Sequence, residues 1–96
     1  MSAQEKKVIL LVEDDFFVEA VEKEQITHLG YEVISVNTGE MAVELALNDE
    51  RINLILMDIN LGQEMDGLEA ARQIVDRKNM PIIFLRPTRK MNILTN

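Results

Sequence analysis

Ninety-six residues make one domain, near the lower size limit for a core without staples, and 47% hydrophobic but only 4% aromatic content leaves aliphatic side chains and six methionines to fill it. The lack of cysteine excludes disulfides, thiolate metal sites and a Cys nucleophile. A net charge of −7 argues against nucleic acid as a partner, since phosphate backbones need clustered Lys and Arg.

The segment Met1 to Lys7 is polar, and the apolar stretch after it, Val8 to Val12, is too short for a signal peptide or a membrane span. A cytoplasmic protein without membrane contact is the expectation. Val8-Ile9-Leu10-Leu11-Val12 is apolar throughout, as in a parallel strand buried on both faces. Asp14 or Asp15 can cap the helix that follows, whose apolar positions Phe17, Val18, Val21, Ile26 and Leu29 repeat at helical period. Gly30 supplies its left-handed stop.

Glu32 to Val36 alternates, as an outer strand does, and Thr38 then caps a second helix with Met41, Ala42, Leu45 and Ala46 on one face. Leu54-Ile55-Leu56-Met57 is another apolar strand, ending at Asp58. A loop from Asn60 to Met65 leads to Gly67 and a third helix carrying Leu68, Ala71, Ile74 and Val75. Pro81 opens a last strand, Ile82 to Leu85. The order βαβαβαβ implies an open α/β fold with a parallel sheet, right-handed crossovers and helices on both faces.

In such sheets the functional crevice lies beyond the carboxyl ends of the strands. Glu13 and Asp14 follow the first strand and Asp58 ends the third, so three carboxylates converge if those strands are neighbours. Like charges held together raise one another's pKa values and call for a cation. Hard oxygen ligands suit Mg²⁺, which keeps several waters and takes one or two carboxylates with phosphate oxygens. There it would neutralise the pocket for an anionic phosphoryl group, with Asp58 as the nucleophile that forms an acyl phosphate. The backbone carbonyl of Asn60 is expected to add a metal contact. Helix and loop capping explains each acid taken singly, but not the three together. A calcium loop starting at Asp58 fails at Gly62 and Gln63. No Gly-rich phosphate loop follows the first strand, which argues against a flavin or nucleotide binder.

The phrases Ile9-Leu10-Leu11-Val12-Glu13-Asp14-Asp15, Leu54-Ile55-Leu56-Met57-Asp58-Ile59-Asn60-Leu61-Gly62 and Met65-Asp66-Gly67-Leu68-Glu69-Ala70-Ala71 resemble the receiver domain of two-component response regulators. Pro81 to Leu85 looks like that family's fourth strand, so the resemblance covers residues 7–85. It implies a flavodoxin-like sheet and Asp58 as acceptor of phosphate from a sensor histidine kinase or a phosphotransfer protein. It also implies Mg²⁺ held by Glu13, Asp14, Asp58 and the Asn60 carbonyl, and Gly67 as the tight turn after the active-site loop.

The family ends its fourth strand with Thr or Ser followed by Ala, where this chain has Arg86 and Pro87. The hydroxyl bonds the phosphoryl group and moves with it, which arginine cannot copy, so switching is expected to be impaired. The family's fifth-strand lysine has no match either, since Lys90 follows Leu85 with no helix between. Residues 1–85 hold seven bases against 17 acids, whereas residues 86–96 carry three bases and no acid. Arg86 to Ile93 can be encoded CGG CCC ACA CGA AAG ATG AAC ATC; one restored A regroups this as ACG GCC CAC ACG AAA GAT GAA CAT. That frame reads Thr-Ala-His-Thr-Lys-Asp-Glu-His. The expectation is a partial receiver domain over residues 1–85, strand order 2-1-3-4 with the fifth strand and last helix missing. Residues 86–96 would be a basic, frameshift-derived tail outside the family pattern.

An uncovered fourth strand is an apolar edge that recruits another strand. A homodimer or higher oligomer through that strand and the tail is therefore expected. A pseudo-receiver that docks partners without chemistry is the alternative.

Overall fold

Five consecutive apolar residues make β1 (Val8–Val12) a strand buried along its whole length. The computed structural model describes residues 5–62 and 65–85. After β1 come α1 (Phe16–His28), β2 (Glu32–Val36), α2 (Gly39–Asn48), β3 (Ile52–Asp58), α3 (Gly67–Val75) and β4 (Ile82–Leu85). The four strands are parallel and lie in the order β2-β1-β3-β4. This is the flavodoxin-like arrangement that the family resemblance implies, in which β1 and β3 are direct neighbours. The expectations for residues 86–96 lie outside the described residues, as does the part of the active-site loop at 63–64.

Each helix starts on an acceptor side chain. Asp15 Oδ1 accepts from the amides of Phe17 and Val18, both at 3.0 Å, Thr38 Oγ1 from Met41 at 3.1 Å, and Asp66 Oδ1 from Glu69 at 2.9 Å. Such caps satisfy amides that have no partner within the helix. Gly30, with φ of 103°, turns the chain out of α1 into β2, a conformation other residues avoid.

The period-two alternation of the strands divides the apolar residues between two faces. Val8, Leu10, Val12, Ile55 and Met57 pack with Ala42 and Ala46 of α2 and Ala70, Ala71 and Ile74 of α3. Ile82 and Phe84 of β4 border that core. Ile9 and Leu11 point to the opposite face, where α1 lies on β2 and β1. No residue of α1 is fully buried, and an apolar groove between it and the sheet is lined by Ile9, Ile26, Leu29, Leu54 and Leu56.

Several outlines read from the sequence are adjusted here. Strand β3 begins at Ile52, two residues before the apolar run. Of the apolar positions read for α3, Leu68 and Val75 are 54% and 51% exposed, and Ala70 is buried beside Ala71 and Ile74. Small residues win there because α2 and α3 pack side by side through Ala42, Ala46, Ala70 and Ala71, and bulkier side chains would hold them apart. Met41, placed on the apolar face of α2, is likewise 48% exposed.

Ile55 is fully buried at the centre of β3. Ile55→Ala should cost about 2–5 kcal/mol of unfolding free energy, read as a lowered midpoint in denaturant. A loss within error would contradict the core as described.

Candidate functional site

Parallel registry decides where the acidic residues fall. Val12, the last residue of β1, is the partner of Met57, so Glu13 and Asp58 leave the sheet at the same rim. The Glu13 amide donates to the Val36 carbonyl at 3.1 Å, tying that end of β1 to β2. Glu13 and Asp58 are 2% and 4% exposed, whereas Asp14 faces solvent. One carboxylate oxygen from each of Glu13, Asp14 and Asp58 lies within 4.8 Å of the others. The three side chains singled out from the sequence therefore meet, two as a floor and one as a rim.

The chain around them is tightly held. Glu13 Oε2 accepts from the Asp15 amide at 3.2 Å, and Asp58 Oδ1 accepts from the Asn60 amide at the same distance. Asn60 is thus fixed beside Asp58 by its backbone, and the fully buried Leu61 anchors the next step of the loop. The Gly67 amide closes the turn on the Ile59 carbonyl at 2.9 Å. A Cβ on Gly67 would overlap the Asp58 carbonyl oxygen and stand 2.9 Å from the Ile59 Cα, so glycine is required there by close backbone approach.

Two features escaped the sequence reading. Gly62 adopts φ of 66°, and a Cβ there would stand 3.4 Å from Asp14 Oδ2, so the loop passes close to the exposed carboxylate. A cavity of about 260 Å³ adjoins the acidic group, lined by Glu13, Asp14, Phe16, Glu19, Ser35 and Asn37 among others. Ser35 Oγ donates to Glu19 Oε2 at 2.6 Å, joining β2 to α1. The position of Glu19, one helical turn beyond Asp15, was a visible signal that it shares the helix's site end.

Burial is the main reason that the Glu13 carboxyl is pushed up from 4.5 to about 7. The Asp15 amide opposes this, while a hydrogen bond with Asp58 and the charges of Asp58 and Glu22 add to it. None of the ion pairs among the described residues involves Glu13, Asp14 or Asp58. Two buried carboxylates and one exposed one, with no ion pair to them among the described residues, form a set of hard oxygen donors that fits a divalent ion such as Mg²⁺.

A carboxyl whose folded pKa exceeds its unfolded value binds its proton more tightly in the native state. Stability is then greatest below the unfolded value and falls as pH rises through the folded one. In chelator, the thermal midpoint should therefore fall between pH 4.5 and about 7, and Glu13→Gln should flatten that part of the profile. A profile unchanged by the substitution would show that Glu13 is not the titrating group.

Comparison with known proteins places this arrangement. The sequence pattern of the "Response regulator receiver domain" matches residues 9–95, a span that includes most of the tail set apart above. The transcriptional regulatory protein CrdR of Helicobacter pylori is 39% identical over 82 residues, which are 83% of this chain and 38% of that protein. YrkP of Bacillus subtilis, a transcriptional regulatory protein, is 36% identical over 77 residues, 80% of this chain and 32% of the other. This chain thus spans about a third of such relatives. Among solved structures, the N-terminal domain of a response regulator/sensory box/GGDEF protein from Carboxydothermus hydrogenoformans superposes with a TM-score of 0.79 at 40% identity, covering 83% of this chain and 64% of that one. The receiver domain of the sensor histidine kinase PA1611 from Pseudomonas aeruginosa gives a TM-score of 0.77 at 37% identity, over 83% and 66% of the two chains, and holds a magnesium ion in its active-site cleft. With the parallel sheet and the acidic rim in place, these matches make the chain a member of the response regulator receiver domain family.

Proposed function

We propose that Asp58 accepts a phosphoryl group from the phosphohistidine of a sensor histidine kinase or a phosphotransfer protein. The meeting of Glu13, Asp14 and Asp58 within 4.8 Å carries this reading. Glu13, Asp14, Asp58 and the Asn60 carbonyl would hold Mg²⁺, which supplies charge neutralisation for the phosphoryl oxygens when bound. The magnesium in the cleft of the PA1611 receiver domain supports that assignment.

In the transfer, an Asp58 carboxylate oxygen forms a bond to phosphorus as the phosphorus–nitrogen bond of the donor breaks. The electron pair of the broken bond returns to the imidazole nitrogen, and the product is an acyl phosphate on Asp58. The backbone bond from Asn60 to Asp58 Oδ1 orients the carboxylate, and Gly67 keeps the following turn close to the strand end. Burial of Glu13 and Asp58 limits water at the inner side of the site. The chain is an acceptor that can lose its own phosphoryl group, not an enzyme acting on other substrates, and its proposed location is the cytoplasm. No helix of the described residues is long and apolar enough to cross a membrane.

Residues 1–85 form the receiver unit in this reading, and 86–96 the tail that departs from the family at Arg86 and Pro87. Asp58 and Leu85 are partners across β3 and β4, so residue 86 follows directly on the position beside the acceptor. An arginine in place of a hydroxyl there impairs the switch.

Mg²⁺ titration by calorimetry should show binding that Asp58→Ala abolishes. Acetyl phosphate with Mg²⁺ should add one phosphoryl group slowly, on Asp58, and Arg86→Thr should speed this by up to about a hundredfold, the effect of one donor to a transition-state oxygen. A chain that neither binds Mg²⁺ nor gains phosphate is a pseudo-receiver.

Self-association through the fourth strand and tail belongs to the same reading. Among the described residues β4 pairs only with β3, and Ile83 on it is 51% exposed. Unpaired apolar edges invite another strand. Light scattering at micromolar concentration should report a dimer or larger; a monomer would contradict this.

A further inference from the structure

Gly39, the first residue of α2, is buried and is not among the glycines with positive φ. Neither conformation nor helix propensity accounts for glycine there, since alanine is the better helix former. Its surroundings do account for it. A Cβ at residue 39 would stand 2.8 Å from the Met65 carbonyl oxygen, 3.1 Å from Met65 Cγ and 3.2 Å from Met65 Cβ. The shortest of these is to a backbone atom, which cannot rotate away.

Met65 immediately precedes Asp66, the cap of α3, and stands two residues before Gly67. Gly67 in turn donates to the Ile59 carbonyl at 2.9 Å and lies against the Asp58 backbone with no room for a side chain. A continuous line of close contacts thus runs from the start of α2, through Met65 and the cap of α3, to the backbone of the proposed acceptor. Both ends of the line rest on a glycine that brings two backbones together.

We infer that Gly39 is a positioning residue for the acceptor site: its bare Cα seats Met65 and so fixes where Gly67 holds the end of β3. Enlarging residue 39 moves the Met65 backbone, and the shift reaches Asp58 and Asn60 through the Gly67 contacts. The start of α2 and the metal-binding end of the sheet then move together. This inference rests on the phosphoryl and Mg²⁺ reading of the site, and it assigns residue 39 no contact with either group.

The test compares Gly39→Ala with Thr38→Ala in the full chain, using Mg²⁺ affinity from calorimetry and the thermal midpoint in chelator. Thr38→Ala removes the cap of α2 without adding bulk against Met65, and so controls for loss of helix stability. Gly39→Ala should weaken Mg²⁺ binding by roughly tenfold, as when a residue that orients metal ligands is lost. Thr38→Ala should lower the midpoint and leave the affinity near that of the wild type. Adding Met65→Ala to Gly39→Ala should restore only a small part of the affinity, because it removes the contact with Cγ and leaves those with Cβ and the carbonyl oxygen. Equal affinities for Gly39→Ala and Thr38→Ala overturn the inference. If Gly39→Ala does not fold, Met65→Ala alone tests the same seat: weakened binding supports it and unchanged binding overturns it. A wild-type chain that binds no Mg²⁺ removes the reading of the site and this inference with it, which differs from a wild type that binds and a variant that binds equally.

Discussion

The side-by-side parallel pairing of β1 and β3 is the constraint on which the site depends. With Val12 opposite Met57, the residues that follow must bring Glu13 and Asp58 together at one rim. Two carboxylates in a nearly water-free position repel each other and lose hydration, and no ion pair among the described residues offsets either cost. The upward shift of Glu13 comes first from its burial, and the neighbouring Asp58 adds to it. Elsewhere the chain treats its acids differently. Asp49 and Glu69 are both pulled down to about 2, mainly by hydrogen bonds from Arg51 and Arg72. Those pairs are on the surface, where ion pairs add little to stability. Among the described residues, acidic groups with arginine partners and acidic groups without them thus occur in one small domain. Only the second kind leaves an opening for an ion from outside.

The supports of the site are backbone approaches more than side-chain bonds. Asp58 is held by the Asn60 amide, the turn by Gly67 to Ile59, and the rim by a left-handed Gly62 beside Asp14. Short rigid elements of this kind keep the oxygens in place while Asp14 remains open to solvent. Placing the carboxylates at strand ends, and not on a long loop, limits the motion that would otherwise dilute their cluster. Among the described residues the opposite face of the sheet is less covered. Helix α1 covers β2 and β1 but leaves Leu54 and Leu56 of β3 bordering an open groove.

Much of this architecture was legible in the residues. The unbroken apolar runs of β1 and β3, the cap Thr38, a cap at Asp14 or Asp15 and the stop at Gly30 are local signals, and local physics governs them. The meeting of Glu13, Asp14 and Asp58 was legible on the condition that the first and third strands are neighbours, which the family resemblance implied and the sheet order bears out. Other features depend on packing between distant segments and leave little local trace. Leu68 fits a helical stripe as well as Ala70 does, and only the close approach of α2 and α3 chooses the smaller residue. Gly39 reads as an ordinary helix start until Met65, 26 positions later, is found against it. The contribution of Glu22 to the field at Glu13 likewise requires knowing which side of α1 faces the rim.

Paramagnetic broadening by Mn²⁺, used in place of Mg²⁺, would test the central claim most directly. With substoichiometric Mn²⁺ added to the labelled protein, the amides of Glu13, Asp14, Asp58 and Asn60 should lose intensity first, and those at the amino ends of β1 and β3 last. Excess Mg²⁺ should restore the signals. Broadening spread evenly over the acidic surface, or centred on α1 or α3 instead, would show that the three carboxylates do not act as one binding site.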